Sequence, residues 1–226
     1  MFYSYNYFRQ YNNITDVVIP NMTKHNGDFS WKFRFMSNLV NCSIPSNISN
    51  MSCLFSGCSN LTENPVCGEN VINMFRTYLN CRNLTGSPVC GDNVTDMYRA
   101  YYNCYNIEGS PVCGNNVTNM GGTYYQCHSL TGSPVCGSKV ATMTWTYTNC
   151  YNITGNPVCG NNVTNMSSAY YNCISLTSIS IPVGVTLIGN KAFYDCSSLT
   201  SISIPDTVSF IGGEAFYNCI SLTSIS

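Results

Sequence analysis

The chain is 226 residues long and carries nine Lys and Arg against ten Asp and Glu, a net charge of −1 with only 8% charged residues. That balance suggests neither long-range steering of nucleic acid nor a funnel for charged substrates, and a net charge so near zero does not expand a chain into disorder. Asn, Ser, Thr, Gly and 17 tyrosines fill the remainder, giving neutral hydrogen-bonding groups and amphipathic rings of the kind that meet sugars and proteins.

The N-terminus, MFYSYNYFRQYNN, lacks the basic start and apolar run of a secretory signal. No later stretch approaches the ~20 apolar residues of a membrane span. Residues 1–36 are rich in Tyr, Phe and Asn and fall outside the periodicity that follows. Trp31, Phe33 and Phe35 stand just ahead of a degenerate first coil at 37–57, and the segment is expected to cap that coil.

From there the cysteines mark an internal repeat, the feature that decides a fold before any other. Cys58, Cys81, Cys104, Cys127, Cys150, Cys173, Cys196 and Cys219 are spaced by 23 residues. Cys67, Cys90, Cys113, Cys136 and Cys159 keep the same period. Residues 58–172 repeat one Cys/Asn-rich phrase, as in NLTGSPVCGDNVTDMYRAYYNC from Asn83 to Cys104. Residues 173–226 use a second, as in SLTSISIPVGVTLIGNKAFYDC. In register, Leu84, Ile153, Leu176, Leu199 and Leu222 share one column, and Tyr101, Tyr124, Tyr147, Tyr170, Phe193 and Phe216 another.

A rise of ~4.8 Å per coil lets copies of a short strand pair as a parallel sheet, with Leu176, Ile179 and Ile181 pointing inward. Val94, Met97 and Tyr101 follow at helical spacing, so each coil is predicted to hold one short strand and one short helix. Pro88, Pro111, Pro134 and Pro157 remove ladder donors beside the strand valines, which predicts a narrower sheet in the middle than at the C-terminal end.

AFYDCSSLTSISIP from Ala192 to Pro205 and AFYNCISLTSIS from Ala215 to Ser226 closely resemble the BspA-like (Treponema pallidum-type) leucine-rich repeats. NVTNMSSAYYNC, from Asn162 to Cys173, is similar to the related bacterial surface-protein repeats with a VTNM phrase. The resemblance implies a right-handed leucine-rich-repeat-like solenoid of 23-residue coils. It also implies an extracellular place on a cell or virion surface, in adhesion or receptor binding, with no catalytic residues to carry over.

The cysteine gaps match no zinc or iron–sulfur pattern, and no metal or other cofactor is implied. The Cys58 to Cys219 series reads as a buried free-thiol packing ladder. Cys67, Cys90, Cys113, Cys136 and Cys159 sit beside glycines in a turn, where adjacent coils bring Cα atoms within the reach of a disulfide, and are candidates for one. No nucleophile, base and orienting group occur together, so an enzyme is not expected.

Columns that vary between coils are expected to be exposed. Arg82, Tyr105, His128 and Tyr151 fill one, and Tyr98, Arg99, Tyr102, Tyr125 and Trp145 lie in others. Their types are those of interface hot spots, and these nine are the candidate binding residues. The expected partner is a protein or glycan receptor on a host surface, with no nucleic acid. The alternative is a structural, fibre-forming role with end-to-end self-association through open coil edges.

Overall fold

A computed structural model of the chain describes residues 13–18, 27–63 and 67–226. Every named strand is short and every pairing is parallel, as stacked copies of one coil require. β1 (Asp16–Val18) pairs with β2 (Asn41–Ser43). β3 (Ser178–Ser180), β5 (Ser201–Ser203) and β7 (Ser224–Ile225) form a three-stranded sheet in which Ser178 faces Ser201 and Ser201 faces Ser224, a register of 23 residues. β4 (Leu187–Ile188) pairs with β6 (Phe210–Ile211). The stacking reaches upstream of residue 37, since Asp28 bridges Asn50 and Phe33 stacks on Phe55.

The expected narrowing of the middle sheet is found. Where the C-terminal coils pair as runs of two or three residues, the middle coils are joined only by isolated bridges, Val112 to Val135, Val135 to Val158 and Gly132 to Ile153. Pro111 and Pro134, each one residue before a bridged valine, have no N–H to lengthen the ladder, though their carbonyls still accept from Val135 and Val158.

Two expectations about the coil need correction. First, it has a second pairing line, running from Asp28 through Asn50, Asn73, Asp96, Asn119, Thr142 and Asn165 to Leu187. At most of these positions the Asx side chain accepts the N–H two residues on, as Asp96 Oδ1 does from Tyr98 at 2.9 Å, so the line is a stack of Asx turns. Second, the described residues contain no helix. After Val94, the N–H groups of Met97, Arg99, Tyr101 and Asn103 donate to Asn119, Gly121, Thr123 and Tyr125 in the next coil, while Ala100, Tyr102 and Cys104 close turns on residues three back. Arg99 at φ 53° and Asn103 at φ 60° are left-handed, which an α-helix does not admit. The backbone therefore spends half its donors joining coils, and the helical spacing of the apolar residues is the signature of a run of tight turns.

The core is a set of columns one residue wide. Phe33, Phe55, Tyr78, Tyr101, Tyr124, Tyr147, Tyr170, Phe193 and Phe216 stack with centroids 5.2–5.9 Å apart and near-parallel planes. Met51 to Met166 and Leu39 to Leu199 are buried beside them. Identical side chains at each level repeat one packing solution and favour a regular stack.

Candidate binding surface

The two cysteine series occupy different environments. In the first, each thiol donates to the carbonyl of the stacked aromatic residue of the preceding coil. Cys104 reaches Tyr78 O at 3.0 Å, Cys127 reaches Tyr101 O at 3.0 Å, and Cys58, Cys81, Cys150, Cys173, Cys196 and Cys219 do the same. Burial pushes these thiols up, to about 12 at Cys58, so they are neutral and poor nucleophiles.

Cys67, Cys90, Cys113, Cys136 and Cys159 lie nearer the surface at the edge of the core, all as free thiols. Cys136 Sγ is 3.6 Å from Tyr147 Oη and Cys159 Sγ is 3.3 Å from Tyr170 Oη. The hydrogen bond between these two thiols lowers Cys159 and, with burial behind it, raises Cys136. Cys113 is engaged differently, its sulfur accepting the Gly137 N–H at 3.2 Å.

The variable columns do gather into one stretch of surface. Tyr105, His128 and Tyr151 stack with centroids 5.0 and 4.8 Å apart, and the Arg82 guanidinium lies 5.8 Å over the Tyr105 ring, so four coils contribute one file. Burial between the two tyrosine rings pulls His128 down from its ordinary range. Alongside, Arg99 lies 5.0 Å over Tyr98 and 5.2 Å over Tyr102, and Tyr102 stacks on Tyr125 at 4.4 Å. Tyr102 is pushed up by burial first and then by Tyr125, with a smaller push from Tyr105, so the two files are neighbours.

Trp145 stands apart from the other eight. It shares the left-handed column of Arg76, Arg99 and Gly122, and its ring is 45% exposed. Gly122 has no side chain, and the space a Cβ would take lies 3.3 Å from the Arg99 chain and 3.6 Å from the Tyr102 ring. Arg99 and Trp145 thus flank a one-coil notch.

The face extends beyond the nine candidate residues. Phe75 stacks on Tyr98 at 5.6 Å, with Arg76 4.8 Å over the Phe75 ring. Tyr171, Tyr194 and Tyr217 form a second tyrosine file at 4.9 and 4.8 Å, with Lys191 over Tyr194 and paired to Glu214. The signal was present, since Tyr171 lies 46 residues after Tyr125 in the same column, but Thr148 interrupts it. The Asn-Val-Thr sequons serve stacking: Asn93, Asn116 and Asn162 each donate Nδ2 to a carbonyl 24 residues earlier.

Among solved structures, a leucine-rich repeat protein from Bacteroides ovatus shares 19% identity over 98% of this chain and 81% of its own, with a TM-score of 0.48. The T. pallidum leucine-rich repeat protein shares 19% over 92% and 78%, with a TM-score of 0.43. A leucine-rich repeat protein from Eubacterium ventriosum shares 12% over 98% and 88%, with a TM-score of 0.46. No curated protein matches the chain. The family model of the BspA type leucine rich repeat region matches in six copies over residues 4–108 and 163–226, well over half of the sequence, and the chain belongs to that family.

Proposed function

We propose that this chain is a non-catalytic recognition module whose binding face is the aromatic and arginine surface of the middle coils. Repeat proteins of this family mediate protein interactions, and among the described residues no helix is long and apolar enough to cross a membrane. The observation that carries the reading is the continuous file Arg82, Tyr105, His128, Tyr151, lying beside Tyr98, Arg99, Tyr102 and Tyr125. Rings pre-ordered by stacking lose little entropy on binding, and residues of these types dominate interface energies. In this reading the module sits on an extracellular, cell or virion surface, to which the family resemblance lends support, and meets a protein or glycan receptor on a host. The coil that ends near residue 36 and the one at 37–57 begin the stack, 58–172 supply most of the recognition face, and 173–226 continue the stack.

The test is a panel of immobilised host-surface glycans and matrix proteins, read by interferometry with the full chain and with a Tyr105→Ser, Trp145→Ser, Tyr151→Ser variant. The three substitutions fall in two columns, and serine already occurs in both, at Ser59 and Ser168. The variant is expected to lose about tenfold or more in affinity for whatever the parent binds. Unchanged binding would remove this face from the function, and filaments appearing with concentration would favour end-to-end assembly and a structural role.

A further inference from the structure

Of the chain's five arginines, four fall on this face: Arg34, Arg76, Arg82 and Arg99. Each lies over aromatic rings. Arg34 sits 4.7 Å from the Trp31 centroid and 4.3 Å from that of Phe35; Arg76 is 4.8 Å from Phe75 and 5.8 Å from Tyr98; Arg99 is 5.0 Å from Tyr98 and 5.2 Å from Tyr102. One ring, Tyr98, is therefore held between two guanidiniums from successive coils. Arg34 and Arg76 lie in the coils on either side of the one that holds Cys53 and Phe55.

Among the described residues these charges have no ion-pair partner: the ion pair is Lys191 with Glu214, four coils beyond Arg99, and none of the four guanidiniums takes part in one. The Nε groups of Arg34 and Arg76 are buried without an acceptor. Asp96, the acid closest in sequence, is engaged as a turn acceptor for the Tyr98 N–H. Cations ordered on rings and left unneutralised form a patch that an anion stabilises, and the planar guanidinium fork matches sulfate and carboxylate oxygens in pairs.

The backbone argues for the class of partner. A peptide binds such a surface best by adding a strand, but here the N–H groups of Arg76, Asn80, Arg99 and Asn103 all donate to the next coil. What is left to offer is a patch of cations spread along the stack, with Arg76 and Arg99 one coil apart, Arg82 beside them and Arg34 two coils before Arg76, and with phenol and amide groups around it, which suits a ligand read through several anionic groups and hydroxyls. We propose that the patch Arg34, Arg76, Arg82, Arg99 docks a linear acidic polysaccharide carrying sulfate or carboxylate groups along its length. This rests on the recognition-face reading above and names its ligand class.

The experiment measures binding of the full chain to four probes: a heparin oligosaccharide, a hyaluronan oligosaccharide, neutral dextran and poly-L-glutamate, at low and moderate salt. Saturable binding is expected for one or both of the first two, falling about tenfold or more in an Arg76→Gly, Arg82→Ser, Arg99→Gly variant, with dextran and poly-glutamate much weaker. Gly122 and Ser59 occupy the same columns, so these replacements suit the turn, and thermal melting checks that the variant folds. Heparin alone would assign sulfate as the anion, and both would assign carboxylate. Equal binding of poly-glutamate, preference for dextran, or binding untouched by the arginine variant but lost in the Tyr105, Trp145, Tyr151 variant would overturn the acidic-polysaccharide assignment and leave the face standing. Binding that survives both variants would overturn the face as well.

Discussion

The buried ring column shows how one position repeated through the stack is solved differently at each level. Tyr101 Oη donates to Val89 O at 2.8 Å and accepts the Val89 N–H at 3.3 Å. Tyr147 and Tyr170 rest on cysteine sulfurs, and the Tyr124 hydroxyl is buried without a partner. A buried polar group with no partner costs free energy, whereas a paired one contributes about 1 kcal/mol. Phe55 and Phe193 in the same column show that the stack accepts phenylalanine. Tyr124→Phe is thus expected to be neutral or slightly stabilising, and Tyr101→Phe to cost about 1 kcal/mol. Urea midpoints at constant m-value measure both, and an equal loss in the two would show that Tyr124 has a hydroxyl partner after all. The ring column was legible in the sequence because only period 23 was needed to align it. The hydroxyl partners were not, because they depend on a residue about half a coil away across the core.

The turns that replaced the expected helix set the limits of reading this sequence at the level of the element. Val94, Met97 and Tyr101 at spacings of three and four mark a curved, one-sided segment, and hydrophobic spacing alone does not separate an α-helix from successive β-turns. The missing signal is the left-handed pair in each coil, four residues apart. Its second member is Asn80, Asn103, Asn149, Asn172 or Asn218, the residue type that tolerates this conformation best after glycine, and Gly57 fills the same column. A recurring Asn just before the ladder cysteine, paired with Gly57, was that signal. At Asn149 the side chain adds a bond, its Oδ1 accepting Nδ2 of Asn172 at 3.0 Å. Asn149→Ala loses the bond and also the side-chain amide that lets asparagine tolerate φ 60°, at an expected cost of about 2 kcal/mol. Asn149→Gly loses only the bond and should cost about 1 kcal/mol. Denaturant unfolding of the two variants compares them, and if alanine were tolerated as well as glycine, backbone conformation would not be what selects asparagine here.

At the scale of the whole molecule, the columns run a file of thiols from Cys58 to Cys219 and a file of phenols from Tyr78 to Tyr170, and both must stay neutral for the stack to close. Burial raises Cys42, Cys58 and Cys90 from the ordinary 9.0 to about 12, and raises Tyr78, Tyr101, Tyr124, Tyr147 and Tyr170 well above 10.0. A group whose folded value is raised adds stability that is complete below its unfolded value and is lost as pH climbs toward the folded one. The folded chain holds these protons longer than the unfolded chain, so their contribution to stability is expected to be flat below pH 9.0 and to fall between 9.0 and about 12. Cys159 alone, lowered by the Cys136 thiol, opposes the trend and is outnumbered. Because each coil is held mainly by its neighbours, ionisation in one coil weakens the two beside it, and the loss should be cooperative along the stack. Phenolate absorbance and circular dichroism followed together through an alkaline titration test this directly. Coincident transitions are the expected result; buried tyrosines that ionise near 10.0 while the fold persists would mean that the core admits water and that neutrality of the files is not what closes it.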